Sequence, residues 1–171
     1  ALAQSHVSLY GLIDVSVEHQ KHGSKKTSGL ASNGSYLGLR GQEDLGGGLK
    51  AGFVLESAIN VDSGSGADQY GSDDSLNFKR RSEVNLAGGF GTLRLGTFKR
   101  ASYEATAQAI SWHNDNAGST MDSFANTSSH SNVLAYRTPN LAGLSAELQY
   151  RFGEKKVWVD DLKHRDGVDL G

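Results

Sequence analysis

A glycine-rich turn near residue 46 lies between two segments in which every second residue is apolar. The stretch 38–50 reads GLRGQEDLGGGLK, and similar short turns occur at 87–91 and 139–143. Two alternating segments joined by a short turn are typical of antiparallel strands. Long polar segments separate these turns, so short and long connections alternate along the chain. This asymmetry indicates an outer-membrane β-barrel, which has short turns on one side and long loops on the other.

The composition permits such a barrel and excludes several other classes of protein. Of the 171 residues, 22 are Gly and one is Pro, and apolar residues make up 37%. No window approaches the run of about 18 apolar residues that a membrane helix needs, but barrel strands turn alternate side chains to the lumen and need no such run. The chain has no Cys, which excludes disulfides and thiolate metal sites. A formal net charge of −2 argues against nucleic-acid binding.

Seven segments alternate apolar and polar residues, and we predict that they form seven consecutive antiparallel strands. They cover residues 6–18, 35–43, 49–60, 76–87, 91–98, 132–139 and 143–153. The period of two gives each strand an apolar face and a polar face. The polar segments 19–34 and 60–75 are predicted to be loops, and 99–131 is the longest irregular stretch. The predicted fold class is therefore all-β, an antiparallel up-and-down transmembrane β-barrel of about seven strands.

Both ends of the chain differ from the part that is predicted to form strands. Residues 1–4, Ala-Leu-Ala-Gln, resemble the end of a signal peptide, and we interpret them as its remnant. The last alternating segment ends at residue 153, and the segment 154–171 that follows is charged. We therefore expect a barrel segment at 5–153, followed by a divergent or truncated tail at 154–171.

Five short motifs follow one another along the predicted barrel segment. They read YGLID at 10–14, LGLRGQEDLGGGLKA at 37–51, FKRR at 78–81, GFGTLRLG at 89–96 and YRTPNLAG at 136–143. In this order they resemble the N-terminal half of a Gram-negative general porin. The motifs are similar in particular to those of the anion-preferring porins of the Neisseria-like branch.

The resemblance implies a sixteen-stranded, trimeric barrel whose third extracellular loop folds inward and narrows the pore. The irregular stretch at about 99–131 has the position of that loop. Such a protein lies in the outer membrane of a Gram-negative bacterium and lets small hydrophilic solutes diffuse passively without a cofactor. The resemblance to the anion-preferring branch implies a preference for anions. Its partners are outer-membrane lipids, lipopolysaccharide and further copies in a homotrimer. Because relatives are about twice as long, we expect this chain to be the N-terminal part of a porin.

Four basic residues are predicted to line the pore. Arg40, Arg81 and Arg94 share the inward parity of their strands, and Lys79 has the same parity as Arg81. A cationic side chain that faces lipid at mid-bilayer costs about 2–4 kcal/mol, so we expect these residues to face the lumen and to favour anions. Parity leaves open whether they meet at the constriction or line a wider vestibule. Arg80 has the outward parity and is expected near the extracellular rim.

The predicted constriction loop carries charges of both signs. Lys99 and Arg100 open it, and Glu104, Asp115 and Asp122 lie within it. In a porin these acids oppose the arginines of the barrel wall and create a transverse field on passing solutes. The alternative is that they are ordinary solvated loop acids.

Several short patterns suggest catalysis or cofactor binding, but each lacks a residue or structural element that such a site requires. His19 and His22 have the spacing H-x-x-H but no third ligand nearby, so we expect no metal site. The segment 89–94 begins like a dinucleotide fingerprint, but Arg94 replaces its third glycine and a strand follows instead of a helix. No G-x-S-x-G motif is present, and we predict neither catalytic residues nor a cofactor.

Three other interpretations remain open from the residues alone. A smaller outer-membrane barrel could act as a binding or adhesion module whose loops contact a surface partner. An outer-membrane enzyme is disfavoured because a catalytic motif is missing. The chain could also be a porin fragment without function. A passive diffusion pore remains the preferred interpretation because both the alternation and the ordered motifs favour it.

Overall fold

The fold is described from a computed structural model, which covers residues 6–66, 75–106, 129–153 and 167–170. These residues form ten strands and one short helix. The strands are β1 (His6–Leu12), β2 (Val15–His22), β3 (Lys25–Ser32), β4 (Tyr36–Gly46), β5 (Leu49–Ala58), β6 (Arg81–Gly88), β7 (Gly91–Lys99), β8 (Ser129–Arg137), β9 (Glu147–Arg151) and β10 (Gly167–Leu170), and the helix is α1 (Ala101–Thr106). None of the described helical residues belongs to a helix long and apolar enough to cross a membrane.

Eight of the strands form one antiparallel sheet in the order β1-β4-β5-β6-β7-β8-β9-β10. From β4 onward, each strand pairs with the next strand along the chain, which is an up-and-down meander. The turn between β4 and β5 has Gly46, Gly47 and Gly48 at φ values of 84°, 62° and 80°. Three successive positive φ values favour Gly, which explains the glycine run. The predicted all-β, antiparallel fold class is therefore confirmed.

The prediction of a single first strand over 6–18 and a loop over 19–34 is wrong. The strand ends at Leu12, and β2 and β3 form a separate two-stranded sheet. Gly23, at φ 61°, lies in the two-residue turn that lets β2 fold back on β3. The backbone oxygen of Asp14 accepts hydrogen bonds from Asn33 N and Ser35 Oγ, both at 2.9 Å. These bonds stabilise the interruption between β1 and β2. The hairpin lacks a clear apolar alternation because most of its residues are exposed on both faces.

The predicted count of seven strands is also too low. The division of the first strand adds β2, the hairpin adds β3, and Gly167–Leu170 adds β10 inside the segment predicted to be a charged tail. Two predicted strands begin too early, since β6 starts at Arg81 and β9 at Glu147. Leu141 and Leu144 instead form a tight turn with two mutual backbone hydrogen bonds between β8 and β9. This turn occupies the first two residues of the predicted strand 143–153, which explains part of the later start of β9.

The sheet has two chemically different faces, named here the apolar face and the polar face. Cross-strand pairs such as Leu9–Leu39, Leu39–Leu55 and Val84–Leu95 place apolar side chains together on one face. Many of these side chains are exposed: Val7, Leu9, Leu37, Val84, Leu93, Leu95, Tyr136 and Leu148. The opposite face carries Arg, Glu and Asn side chains. This distribution is the reverse of a soluble protein and is that of a transmembrane barrel.

The helix α1 packs against the polar face. It contacts β9 and β10, and its Glu104 bonds to Arg94 and Arg137 of the sheet. Near its start, Phe98, Val133 and Ala135 form a small cluster in which each residue is at most 2% exposed. The chain therefore turns inward after β7, at the beginning of the predicted constriction loop.

Candidate functional site

The polar face carries two clusters of charged side chains. The anchor cluster contains Arg81, Glu83, Arg94, Glu104, Arg137 and Glu147, and it lies where α1 meets the sheet. The Tyr10 cluster contains Tyr10, Tyr36, Arg40, Glu56 and Arg80, and it lies on β1, β4, β5 and the residue before β6. The two clusters differ in how completely their charges are paired.

Arg94 is the centre of the anchor cluster. Its side chain is 4% exposed, and Nη2 lies 3.0 Å from Glu83 Oε2 on the neighbouring strand β6. Nη1 lies 2.8 and 3.0 Å from the two carboxylate oxygens of Glu147 on β9, two strands away. The residue opposite Arg94 on the intervening strand is Ala135, whose small side chain leaves the path to Glu147 open. The guanidinium also lies 4.2 Å from the centre of the Phe98 ring.

Glu104 connects the helix to this arginine. Its two carboxylate oxygens lie 3.2 and 3.3 Å from Nη1 and Nη2 of Arg94. Arg137 Nη2 donates to the same Glu104 carboxylate at 2.9 Å, and Arg137 Nε donates to Glu147 at 2.6 Å. The start of the loop is thus joined to strands β7, β8 and, through Glu147, β9.

The charges of the anchor cluster balance. The cluster contains three arginines and three glutamates. Arg81, the third arginine, pairs with Glu83 through a 2.7 Å contact between its Nη2 and Glu83 Oε2. A buried charge is tolerated only when it is paired and hydrogen-bonded. Removal of one partner from such a group typically costs about 3–5 kcal/mol, so the cluster has a structural role. Arg81 and Arg94 lie on the polar face, as parity predicts, but their charges are compensated locally.

The Tyr10 cluster is built around Glu56. The Tyr10 hydroxyl donates to Glu56 Oε1 at 2.7 Å, and Arg80 Nε donates to Glu56 Oε2 at 3.1 Å. The Arg80 guanidinium lies 4.2 Å from the centre of the Tyr36 ring. The predicted outward direction of Arg80 is therefore wrong. Its parity carries no information because β6 begins only at the next residue, Arg81.

Arg40 differs from the arginines of the anchor cluster. It is exposed, and within the part of the chain that the structure describes no carboxylate pairs with it. Its Cζ lies 5.0 Å from the centre of the Tyr10 ring. That ring covers Gly38, where an added Cβ would lie 2.6 Å from Tyr10 Cζ. The positive charge of Arg40 thus lies beside an aromatic ring and is not compensated by a described carboxylate.

The remaining predicted basic residues have different positions. Lys79 is exposed and precedes β6, so it does not share a strand with Arg81, and strand parity does not set its direction. Lys99 is the last residue of β7, and its Nζ donates to the Tyr103 hydroxyl at 2.8 Å. Arg100 has a buried Nε without a hydrogen-bond partner among the described residues. The acids Asp115 and Asp122 lie outside the described residues.

His19 and His22, which have metal-like spacing, lie on β2 rather than in a loop. Residues three apart on a strand point to opposite faces. His19 Nδ1 instead lies 2.6 Å from Ser28 Oγ on the paired strand β3. No group of three or more potential metal ligands occurs among the described residues.

Sequence reasoning did not identify Tyr10, Glu56, Arg137 and Glu147 as members of the site. Each of them has the polar-face parity of its strand, which is the only local signal. Tyr10 and Glu56 are 46 positions apart in the sequence, and Arg94 and Glu147 are 53 positions apart. Such pairs depend on the register between strands, which a single strand pattern does not contain.

The sheet, its two faces and the helix on the polar face are those of a transmembrane β-barrel protein. Comparison with known proteins leads to the same class. The model of the Gram-negative porin family matches residues 1–171. This chain therefore belongs to the Gram-negative porin family and is an outer-membrane protein. The family resemblance predicted from the five motifs is confirmed. Porins are channels rather than enzymes.

Individual relatives support this assignment. The chain is 40% identical to outer membrane porin protein 32 of Delftia acidovorans, over 92% of this chain and 47% of that protein. It is 30% identical to major outer membrane protein P.IA of Neisseria meningitidis serogroup B, over 86% of this chain and 43% of that protein. The solved anion-selective porin from Comamonas acidovorans matches with a TM-score of 0.75 and 36% identity, over 90% of this chain and 48% of that one. The chain spans about half the length of the curated relatives it matches.

Proposed function

We propose that this chain forms part of the wall of a passive diffusion pore for small hydrophilic solutes. The observation that carries the proposal is the division of the sheet into an exposed apolar face and a charged polar face that α1 contacts. Lipid tolerates only apolar side chains and fully paired backbone, so the apolar face is the outside. The polar face then lines water, and α1 begins the loop that narrows the lumen.

The pore prefers anions. In the anchor cluster, three glutamates offset three arginines, and in the Tyr10 cluster Glu56 offsets Arg80. Arg40 and Lys79 are exposed, and neither has a carboxylate partner in the described ranges. Because charges farther away than about 8 Å are largely screened at physiological salt, this local surplus outweighs the net charge of −2. The anion-selective porin of similar structure supports the same preference.

The partners of the complete protein are lipids, lipopolysaccharide and two further copies in a homotrimer. Aromatic residues at both ends of the apolar face support contact with lipid. Near the β6–β7 turn, the Tyr136 hydroxyl donates to the backbone oxygen of Phe90. Farther from this turn, near the end of β9, the Tyr150 and Phe152 rings pack edge to face at 4.9 Å. The edge strands β1 and β10 pair with additional strands of the complete barrel.

The alternative is an adhesion module, and the β2–β3 hairpin is the observation that favours it. The hairpin is exposed over most of its length and carries Lys21, Lys25 and Lys26 near its turn. An adhesin would use this surface without conducting ions.

Conductance in planar bilayers separates the two functions. The complete protein, purified as a trimer, should give steady current steps and a reversal potential of anion-selective sign in a KCl gradient. Binding to a surface partner without current would support the adhesin. A steady current with cation preference would retain the pore and reject its proposed selectivity.

A further inference from the structure

Tyr10 contacts two oppositely charged side chains that do not bond to each other. Its hydroxyl donates to Glu56 Oε1 at 2.7 Å, and its ring centre lies 5.0 Å from Arg40 Cζ. Within the described ranges, Glu56 forms its ion pair with Arg80, and Arg40 has none. The arrangement therefore keeps one arginine unpaired beside a carboxylate.

Without Tyr10, Arg40 would be a natural partner for that carboxylate. Gly38 lies directly opposite Glu56 in the β4–β5 register, and Arg40 is two residues farther along the same face. Diagonal neighbours of this kind are about 7–8 Å apart, which is within reach of a long side chain. Because Arg presents several donors, it could bond to Glu56 even while Arg80 holds one carboxylate oxygen.

The Tyr10 ring occupies the space that such a contact requires. Tyr10 lies opposite Gly38 in the β1–β4 register, and Gly38 in turn lies opposite Glu56. A Cβ on Gly38 would approach the Tyr10 ring to 2.6 Å, so only Gly lets the ring lie flat against the sheet. From this position the ring supports Arg40 while the hydroxyl occupies Glu56 Oε1.

We propose that Tyr10 is a positioning residue for anion selectivity, which holds the Arg40 guanidinium in the lumen and prevents Glu56 from neutralising it. The inference rests on the proposed pore function and deepens it. The neutral side chain of Tyr10 then determines whether the Arg40 charge remains available to anions in the lumen. Gly38 is required because it leaves room for the Tyr10 ring. Loss of the Tyr10 ring should lower anion preference although no charge is removed.

Reversal potentials of the complete protein in a KCl gradient test this inference. Arg40→Ser should lower the chloride-to-potassium permeability ratio by about twofold or more, because a lumen charge is lost. Tyr10→Ala should lower the ratio in the same direction, and Tyr10→Phe, which keeps the ring, should restore most of it. Tyr10→Ala should add little to Arg40→Ser, since both changes remove the same free charge.

A second background separates positioning from a general structural effect. In Glu56→Gln there is no carboxylate to neutralise Arg40, so Tyr10→Ala should change the permeability ratio little relative to Glu56→Gln alone. An independent variant, Gly38→Ala, displaces the ring and should resemble Tyr10→Ala. Trimer mobility on unheated gels verifies that each variant is assembled.

The outcomes distinguish this inference from the pore function itself. Absence of current from the unmodified protein would reject the proposed function. A conducting, anion-preferring protein whose permeability ratio is unchanged in assembled Tyr10→Ala would overturn the role of Tyr10 alone. An equal loss of selectivity in Tyr10→Ala and Tyr10→Phe would show that the ring does not position Arg40.

Discussion

Arg94 on β7 and Glu147 on β9 are joined by hydrogen bonds of 2.8 and 3.0 Å, although β8 lies between their strands. The contact exists because the β8 residue opposite Arg94 is Ala135, which is fully buried and too small to block it. Glu104 of α1 bonds to the same guanidinium. One arginine therefore holds three segments together where the chain leaves the sheet.

Replacement of Arg94 by Ser should destabilise the complete protein by about 3–5 kcal/mol, because carboxylates of Glu83 and Glu147 would lose their buried partner. The midpoint of thermal or denaturant-induced unfolding, followed on unheated gels, measures this loss. Arg40→Ser is the matched control, since Arg40 is exposed and has no ion pair in the described part of the chain. Equal unfolding midpoints for the two variants would contradict the role assigned to Arg94.

Replacement of Glu104 by Gln should loosen α1 while the sheet stays intact. The carboxylate is 27% exposed and bonds to two arginines, and hydrogen bonds to charged groups contribute about 1.5–3 kcal/mol each. Backbone amides of Ala101–Thr106 should therefore exchange with deuterium about tenfold faster or more. Glu43→Gln, at an exposed position on β4, is the control for the loss of one negative charge. Unchanged exchange in α1 would show that Glu104 does not anchor it.

Expression of residues 1–171 alone should give aggregate or a heterogeneous species after refolding in detergent. The edge strands β1 and β10 each pair on one side only among the described residues. Each unpaired backbone group in lipid costs several kcal/mol, so an open sheet is not tolerated there. Size-exclusion chromatography and gel mobility with and without heating measure the outcome. A monodisperse, heat-modifiable species with channel activity would refute this prediction.

The sequence predicted the features of the fold that depend on local alternation. Parity assigned Arg40, Arg81 and Arg94 to the polar face, because direction along a strand repeats every two residues. The same reasoning does not apply to Lys79 and Arg80, since β6 starts only at Arg81. Arg80 bonds to Glu56 instead of facing outward, whereas the direction of Lys79 stays a prediction. Parity applies only inside a strand, and the strand boundary was not evident from the sequence.

Other features required information that a single sequence pattern lacks. The β2–β3 hairpin escaped prediction because polar residues occupy both of its faces, which resembles a loop. The pairing of Arg94 with Glu147 depends on the register of three strands and on the size of Ala135. Strand parity therefore placed Arg81 and Arg94 on the polar face but did not reveal the glutamates that pair with them.

The central claim, that the polar face lines an aqueous pore and the apolar face contacts lipid, is tested most directly at two adjacent residues of β5. Val54 lies opposite Arg40 on the polar face, and Leu55 lies opposite Leu39 on the apolar face. This chain contains no Cys, so a cysteine introduced at either position is its only thiol. The protein without either substitution serves as the control.

A water-soluble, charged thiol reagent added during bilayer recording should lower the steady current of Val54→Cys and alter its reversal potential. It should leave the current of Leu55→Cys at the level of the unmodified protein, because lipid shields that position. Modification of Leu55→Cys together with an unreactive Val54→Cys would contradict the assignment of the two faces, and with it the proposed pore.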